Sequence, residues 1–354
     1  MRYCKFSLLF PLLAVLTACS SGPVEINTFC QRDAVGNYLV KWETRPEIKG
    51  QVQFFVSDFP DMRREVPAGH SDIQNGVFTY ITSDNISRKY FRLVFNGLYS
   101  RMVAARSVQM DSIPNFRDLG GYLTTDGEST CWGKIFRSGD ISNMGDIDLQ
   151  RLSKLGIRTI IDLRSVAEAD SLPITYPLAN IVHIPVDEGM EDLIGQIEAG
   201  QMFKGDVSVF MQDAYLRFTG DTLAWAKVLH ILTKADSYPV LLTDVEGKDC
   251  VGFLSALLLL ACRVPEAKVL RDYMDTNNHI NIARYRPMAE TLDSNAQEAL
   301  TSAISVNELF LSQAISKIMK DYGGINAYLQ KEGKLSGKQE RKLRRLLLTP
   351  LDNK

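Results

Sequence analysis

Tyr238-Pro-Val-Leu-Leu-Thr-Asp-Val-Glu-Gly-Lys-Asp-Cys-Val-Gly252 is the stretch whose reading decides the fold. Tyr238 to Leu242 reads as a short buried strand, Thr243 to Cys250 as a polar loop containing a glycine, and Val251 to about Arg263 as a helix. That helix is apolar on every side, with Phe253, Leu254 and Leu257 to Leu260, as expected of a helix covered all round. Strand, glycine-bearing loop and helix N-terminus together form the geometry in which backbone N–H groups converge on an anion.

Working outward, the chain from Asp111 onward alternates strands and helices. Ile157 to Leu163 and Asn180 to Val186 are β-branched runs suited to buried strands, and Thr222 to Thr233 reads as a mostly buried helix. Asp187 to Met211 is polar, with glycines at 189, 195, 200 and 205, and reads either as a lid or as an ordinary surface insertion. Before Asp111 the signals are short strands: Asn37 to Glu43, Gln51 to Ser57, Val77 to Ile81, Tyr90 to Phe95 and Arg101 to Met110, separated by turn residues. That spacing predicts a small all-β sandwich, and Tyr38-Leu-Val-Lys-Trp42 is similar to an immunoglobulin- or fibronectin-type strand. His70, beside Gly69, reads as a loop residue rather than a ligand.

The first residues are a targeting segment. Arg2 and Lys5 precede an apolar run from Phe6 to Val15, which is too short to span a bilayer at about 20 residues. Leu16-Thr-Ala-Cys19 then resembles the bacterial lipobox, which implies cleavage before Cys19 and acylation of it. The expected layout is a signal peptide over 1–18, a lipidated linker over 19–23, a β-sandwich over 24–110 and an α/β domain over 111–354. The expected place is the bacterial envelope, with the membrane engaged through the Cys19 anchor.

Of the six cysteines, Cys4 leaves with the signal peptide and Cys19 is lipidated. Cys30, Cys131, Cys250 and Cys262 remain, and their spacing shows neither a disulfide framework nor a zinc pattern. A net charge of −2 offers no basic excess for a nucleic-acid partner. The basic run Lys338 to Arg345, with Leu343 and Leu346 at helical spacing, reads as the solvated face of a terminal helix rather than as a binding patch.

Several motifs, in order, carry a family resemblance. Asn115-Phe-Arg-Asp-Leu-Gly-Gly-Tyr122, Trp132-Gly-Lys-Ile-Phe-Arg-Ser-Gly-Asp140 and Leu155-Gly-Ile-Arg-Thr-Ile-Ile-Asp-Leu-Arg164 with Glu168 resemble the bacterial tyrosine and dual-specificity phosphatases of the cysteine-nucleophile class. Val264-Pro265, Asp272-Tyr273 and the stretch from Tyr322 to Leu329 fit as well. The resemblance spans Asp111 to Leu348. It implies a central sheet flanked by helices, a phosphate loop at Thr243 to Gly252, and neither cofactor nor metal. It also places Asn115, Arg117, Asp118, Arg137, Asp162 and Arg164 near that loop.

Every departure of the loop from the family pattern His-Cys-x-x-Gly-Lys-Asp-Arg-Thr-Gly falls on a residue with a chemical task. Asp244 stands at the nucleophile position and Cys250 at the arginine position, with Thr243 and Val251 replacing histidine and threonine. Asp249, at the family's acid/base position, matches, as do Gly247, Lys248 and Gly252. Val245 to Lys248 would supply the loop's backbone donors.

In the family reaction a thiolate attacks phosphorus while an arginine holds two equatorial oxygens with a planar fork. A cysteine cannot imitate that fork, and removing one such donor costs about 10²–10³ in rate. An Asp244 carboxylate about 4 Å from a phosphate would add roughly 4 kcal/mol of repulsion at an effective dielectric near 20. These departures predict a catalytically impaired pseudophosphatase that serves as a binding module. The alternative is an active phosphomonoesterase with unconventional residues, in which Asp244 is phosphorylated and Asp244, Glu246 and Asp249 hold a cation. On the first reading Asp244 plugs the cradle by accepting the loop's own N–H groups, which should lower its pKa. Cys250 reads as a space-filling residue, and its place twelve residues before Cys262 on one helix excludes a disulfide between them.

Overall fold

The computed structural model describes residues 24–186 and 189–351, so the lipobox lies outside the described residues. The chain is a mixed α/β protein. Its first part holds seven strands: β1 (Glu25–Arg32), β2 (Tyr38–Arg45), β3 (Gln51–Ser57), β4 (Val66–Asp72), β5 (Val77–Tyr80), β6 (Tyr90–Phe95) and β7 (Tyr99–Ala104). They form two antiparallel sheets, ordered β1-β2-β5 and β4-β3-β6-β7. Alternate residues of both sheets meet in one core, where Trp42 and Phe54 lie 5.4 Å apart, as do Tyr38 and Phe91. His70 lies on the exposed strand β4 and not in a loop. β4 is an edge strand without apolar alternation, which is why its sequence reads as a turn region.

The second part adds β8 (Arg117–Asp118), β9 (Glu128–Thr130), β10 (Ile135–Ser138), β11 (Thr159–Asp162), β12 (Asn180–His183), β13 (Val240–Thr243) and β14 (Leu348–Pro350). Five of these make the central sheet, β12-β11-β13-β10-β8, parallel except for the antiparallel edge strand β8. Both faces are covered: Leu241 and Ile160 point into one core, and Val240, Leu242 and Ile161 into the other. The helices are α1 (Asp146–Leu155), α2 (Val166–Ser171), α3 (Met190–Glu198), α4 (Lys204–Phe218), α5 (Thr222–Leu232), α6 (Cys250–Ala261), α7 (Glu266–Met274), α8 (Arg286–Ala289), α9 (Ser294–Ile304), α10 (Glu308–Tyr322), α11 (Ile325–Lys331) and α12 (Gly337–Leu347).

The glycine-bearing region before Met211 is neither a polar lid nor a plain insertion where it is described. It forms α3 and the start of α4, which bury Leu193, Ile197, Val207 and Met211 in the larger core. The four glycines mask the helical period of those apolar residues. Cys30, Cys131, Cys250 and Cys262 are all outside disulfides, and Cys250 and Cys262 stand at opposite ends of α6.

The Asp118-Leu-Gly-Gly121 motif joins the two parts. Asp118 is fully buried and receives Arg88, from the strand-rich part, at 2.5 Å, together with the Gly120 and Gly133 N–H groups at 2.7 Å. A Cβ on Gly120 would lie 2.4 Å from Trp132 Cα, and one on Gly121 only 2.1 Å from its ring. The glycine pair therefore lets Trp132 reach across, where it packs into the strand-rich core and donates its indole N–H to the Met102 carbonyl. Breaking a buried ion pair from one side strands the other charge and costs about 3–5 kcal/mol. Asp118→Ala should lose stability of that order in urea unfolding, and an unchanged midpoint would remove this joint from the account.

Candidate functional site

The loop Asp244 to Asp249 runs from the C-terminal end of β13 to the first turn of α6, between the parallel neighbours β10 and β11. Ligands of open parallel sheets bind at this edge of the strands. Gly247 has φ +67°, and a Cβ there would lie 2.5 Å from the Ser138 carbonyl carbon, so the close approach of the loop to β10 requires glycine. The neighbouring segment is tied on by Asp140 N–H to the Val245 carbonyl at 3.0 Å, and by Thr243 Oγ1 to the Gly139 carbonyl at 2.8 Å.

Asp244 occupies the middle of the loop with 1% of its surface exposed. Its Oδ1 accepts N–H bonds from Glu246 at 3.1 Å and from Gly247, and its Oδ2 accepts one from Val251 at 2.9 Å. The converging donors of the loop are thus turned onto a carboxylate of the same chain. Burial pushes the Asp244 pKa up to about 7; the Val251 and Gly247 N–H groups act the other way, and the Asp249 carboxylate adds to the rise. The expected lowering is therefore reversed: complete removal from water outweighs the hydrogen bonds that favour the charge.

The neighbouring acids turn elsewhere. Glu246 Oε1 accepts from Arg284 at 2.9 Å and from the Tyr285 hydroxyl at 2.5 Å, while its buried Oε2 has no partner among the described residues. Burial raises the Glu246 pKa. Asp249 accepts from the Tyr215 hydroxyl at 2.9 Å and from the Lys248 ammonium. Among the described residues no three His, Cys, Asp or Glu side chains are gathered to hold a metal ion. Cys250 begins α6 wholly inside the larger core. Two of the loop's backbone N–H groups, that of Val251 and the Lys248 ammonium are thus engaged internally, and among the described residues neither a thiol nor a guanidinium takes the place of the family's nucleophile or fork.

Beneath the loop lies a buried polar network. The Gly247 carbonyl accepts from Arg137 Nη2 and from Asn115 Nδ2, the latter at 2.7 Å. Arg137 also pairs with Asp272 at 3.1 Å, and Arg117 bonds to Asn115 at 2.9 Å and to Asp272 at 3.2 Å. Burial alone would raise the Asp272 pKa, but the guanidinium groups of Arg117 and Arg137 overcome it and hold the carboxyl below its ordinary value. On the other flank Arg164 clamps Asp162 with two bonds, at 2.9 and 2.8 Å, and reaches Asp140 at 3.0 Å. The structure thus brings Asn115, Arg117 and Arg137 under the loop and Asp162 and Arg164 beside it, while Asp118 faces Arg88 of the strand-rich part.

Tyr215, Arg284 and Tyr285 escape sequence reading. The last two sit in a polar stretch after α7 with no motif, and Tyr215 lies on a helix whose period is blurred. Asp272 and Tyr273 carry a signal through the family resemblance, although it assigns them no task.

Comparison with known proteins identifies the family. Residues 108–349 match the family model described as the tyrosine phosphatase family. The chain belongs to the tyrosine phosphatase family. It is 28% identical over 244 residues to a protein of Cupriavidus necator provisionally named as a tyrosine-protein phosphatase, covering 64% of this chain and 86% of that one. It is 27% identical over 257 residues to the triple specificity protein phosphatase PtpB of Mycobacterium tuberculosis, covering 62% of this chain and 91% of that one. Among solved structures, the core catalytic domain of the PP-IP phosphatase SIW14 from S. cerevisiae, in complex with citrate, aligns with a TM-score of 0.25 at 12% identity, covering 60% of this chain and 94% of that one.

The raised Asp244 pKa sets a pH dependence. A carboxyl that holds its proton more tightly folded than unfolded stabilises the fold most at low pH. Stability is lost as pH rises from near 4, the ordinary value, to about 7, and levels off above it. Asp244→Asn should remove that decline from a series of urea midpoints between these limits. A decline of the same size in the variant would assign it to other groups.

Proposed function

We propose that this chain is a pseudophosphatase of the bacterial envelope, a lipid-anchored protein that uses a phosphatase scaffold for binding rather than hydrolysis. The observation that carries the reading is the Asp244 carboxylate, which takes three backbone N–H bonds of the loop for itself. In an active relative those donors receive a thiolate and then a phosphate; here a substrate phosphate meets a filled cradle. Asp244 and Cys250 replace the nucleophile and the arginine, while Asp249 is engaged with Tyr215 and Lys248. The scaffold residues Asn115, Arg137 and Gly247 keep the loop's shape without its chemistry.

The two-sheet part is read as a small immunoglobulin- or fibronectin-like sandwich covering 24–110 that spaces the phosphatase-like domain, 111–354, from the membrane. The lipobox supports acylation of Cys19 and placement in the envelope. Cys19→Ala should abolish labelling by a radioactive lipid precursor, and persistent labelling would refute the anchor.

The names of the relatives favour a second reading, an active phosphatase with unconventional residues. Turnover of para-nitrophenyl phosphate decides between them. The purified chain should show none above heat-denatured protein, with or without magnesium. Metal-dependent turnover that disappears in Asp244→Asn would overturn the inactive reading and support a phosphorylated aspartate. The plug itself is tested by Asp244→Ala, which leaves buried N–H groups unpaired at a cost of about 1–3 kcal/mol. Sulfate should restore part of that stability in the variant and have no effect on wild type. A variant as stable as wild type and indifferent to sulfate would show that Asp244 plugs nothing.

A further inference from the structure

A cleft lined by three cationic side chains lies on the far side of the network that supports the loop. It has a volume of about 480 Å³ and is lined by Arg106, Tyr122, Lys268, Arg271, Asp272 and Asp275, among others. Cavities of this size suit small organic ligands. An adjoining cleft of about 430 Å³ shares Arg106 and Asp275 and extends toward β1, giving room for a ligand body beyond its charged end.

The charges of this cleft are unevenly satisfied. Asp272 is neutralised from behind by Arg117 and Arg137, both fully buried, and its Oδ1 also accepts the Tyr122 hydroxyl at 2.7 Å. Asp275 faces Arg117 at 3.4 Å and His279 at 3.2 Å, and accepts from Asn278 at 2.9 Å. Arg106 is fixed by two bonds from Nη1, to the Asp118 and Gly120 carbonyls, both at 2.8 Å, with its guanidinium 3.7 Å over the Tyr122 ring. It makes no direct ion pair among the described residues, although its charge helps to hold the Asp272 carboxyl below its ordinary value. Lys268 and Arg271, one helical turn apart on α7, have no ion-pair or hydrogen-bond partner for their side chains among the described residues. The acids of the cleft are thus answered mainly from inside the protein, while Lys268 and Arg271 face the cavity without an ion-pair partner and Arg106 lines it beside them.

We propose that this cleft binds a small organic polyanion, with Arg106 as the pre-positioned fork and Lys268 and Arg271 as the closing charges. An arginine held by backbone carbonyls and an aromatic ring loses little freedom on binding, and its planar fork suits carboxylate or phosphate oxygens alike. The two sources of that charge are separated by the probes. The site is distinct from the phosphate loop and does not depend on whether that loop is inert.

Calorimetric titration of the full chain at low salt, with citrate and separately with fructose 1,6-bisphosphate, tests it. Saturable one-to-one binding of at least one is expected, weakened at least about tenfold in the Lys268→Glu/Arg271→Glu double variant, since loss of two charge-assisted contacts exceeds 1.4 kcal/mol. Citrate alone would assign carboxylates, fructose 1,6-bisphosphate alone phosphate esters, and both a site that reads charge. Both altered side chains reach the surface, and an unchanged thermal melt verifies that the variant is folded. Absence of saturable binding by either probe, or equal affinity in the double variant, overturns the proposal.

Discussion

The carbonyl oxygen of Gly247 is the point on which the phosphate loop hangs. It is pulled downward by Arg137 and Asn115, while the N–H of the same residue is turned up into Asp244. A buried carbonyl with two charged or amide donors cannot move without leaving them unpaired, and buried donors are costly to strand. This one residue, through the two peptide units that flank it, therefore holds the turn between β13 and α6 from below. Gly247 itself is required because its positive φ and its closeness to Ser138 leave no space for a side chain.

On the proposed reading, that arrangement lets a phosphatase scaffold persist without phosphatase chemistry. The residues that shape the loop act from beneath it, through Arg137, Arg117, Asn115 and Asp272, and none of them needs a bound phosphate. The nucleophile and arginine positions lie above it, and they hold Asp244 and Cys250. Asp244 faces donors that would otherwise converge on nothing, and Cys250 is absorbed into the apolar core at the start of α6. Glu246 is capped by Arg284 and Tyr285, so the outer side of the loop is closed by the segment after α7. Scaffold and chemistry are separable because they lie on opposite sides of the same backbone.

The domain junction obeys the same economy of buried charge. Asp118, three residues after the Asn115 that supports the Gly247 carbonyl, directs its carboxylate to Arg88 and to two backbone N–H groups. Arg88 also stacks over the Tyr90 ring at 4.7 Å. A motif whose first half supports the loop thus uses its second half to dock the strand-rich part, and the cationic cleft opens beside that docking surface.

The α/β class, the strand-loop-helix site and the altered loop residues were legible in the sequence, because each rests on local pattern: β-branched runs, a fully apolar helix, and motif residues in order. β2, β3, β5 and β6 were visible for the same reason. β1 was not, since inward Thr28 and outward Phe29 break its alternation, and α3 was not, since glycines interrupt its period. Side-chain destinations were beyond local pattern. That Asp118 serves Arg88 rather than the loop, that Asp244 accepts three loop N–H groups, and that its pKa rises rather than falls depend on burial and on partners far apart in the chain. The sequence by itself determined which groups are present and which local turns they favour. Only the tertiary structure decided which of them lose water and whom they face, because desolvation and pairing are properties of the packed interior and not of any segment within it.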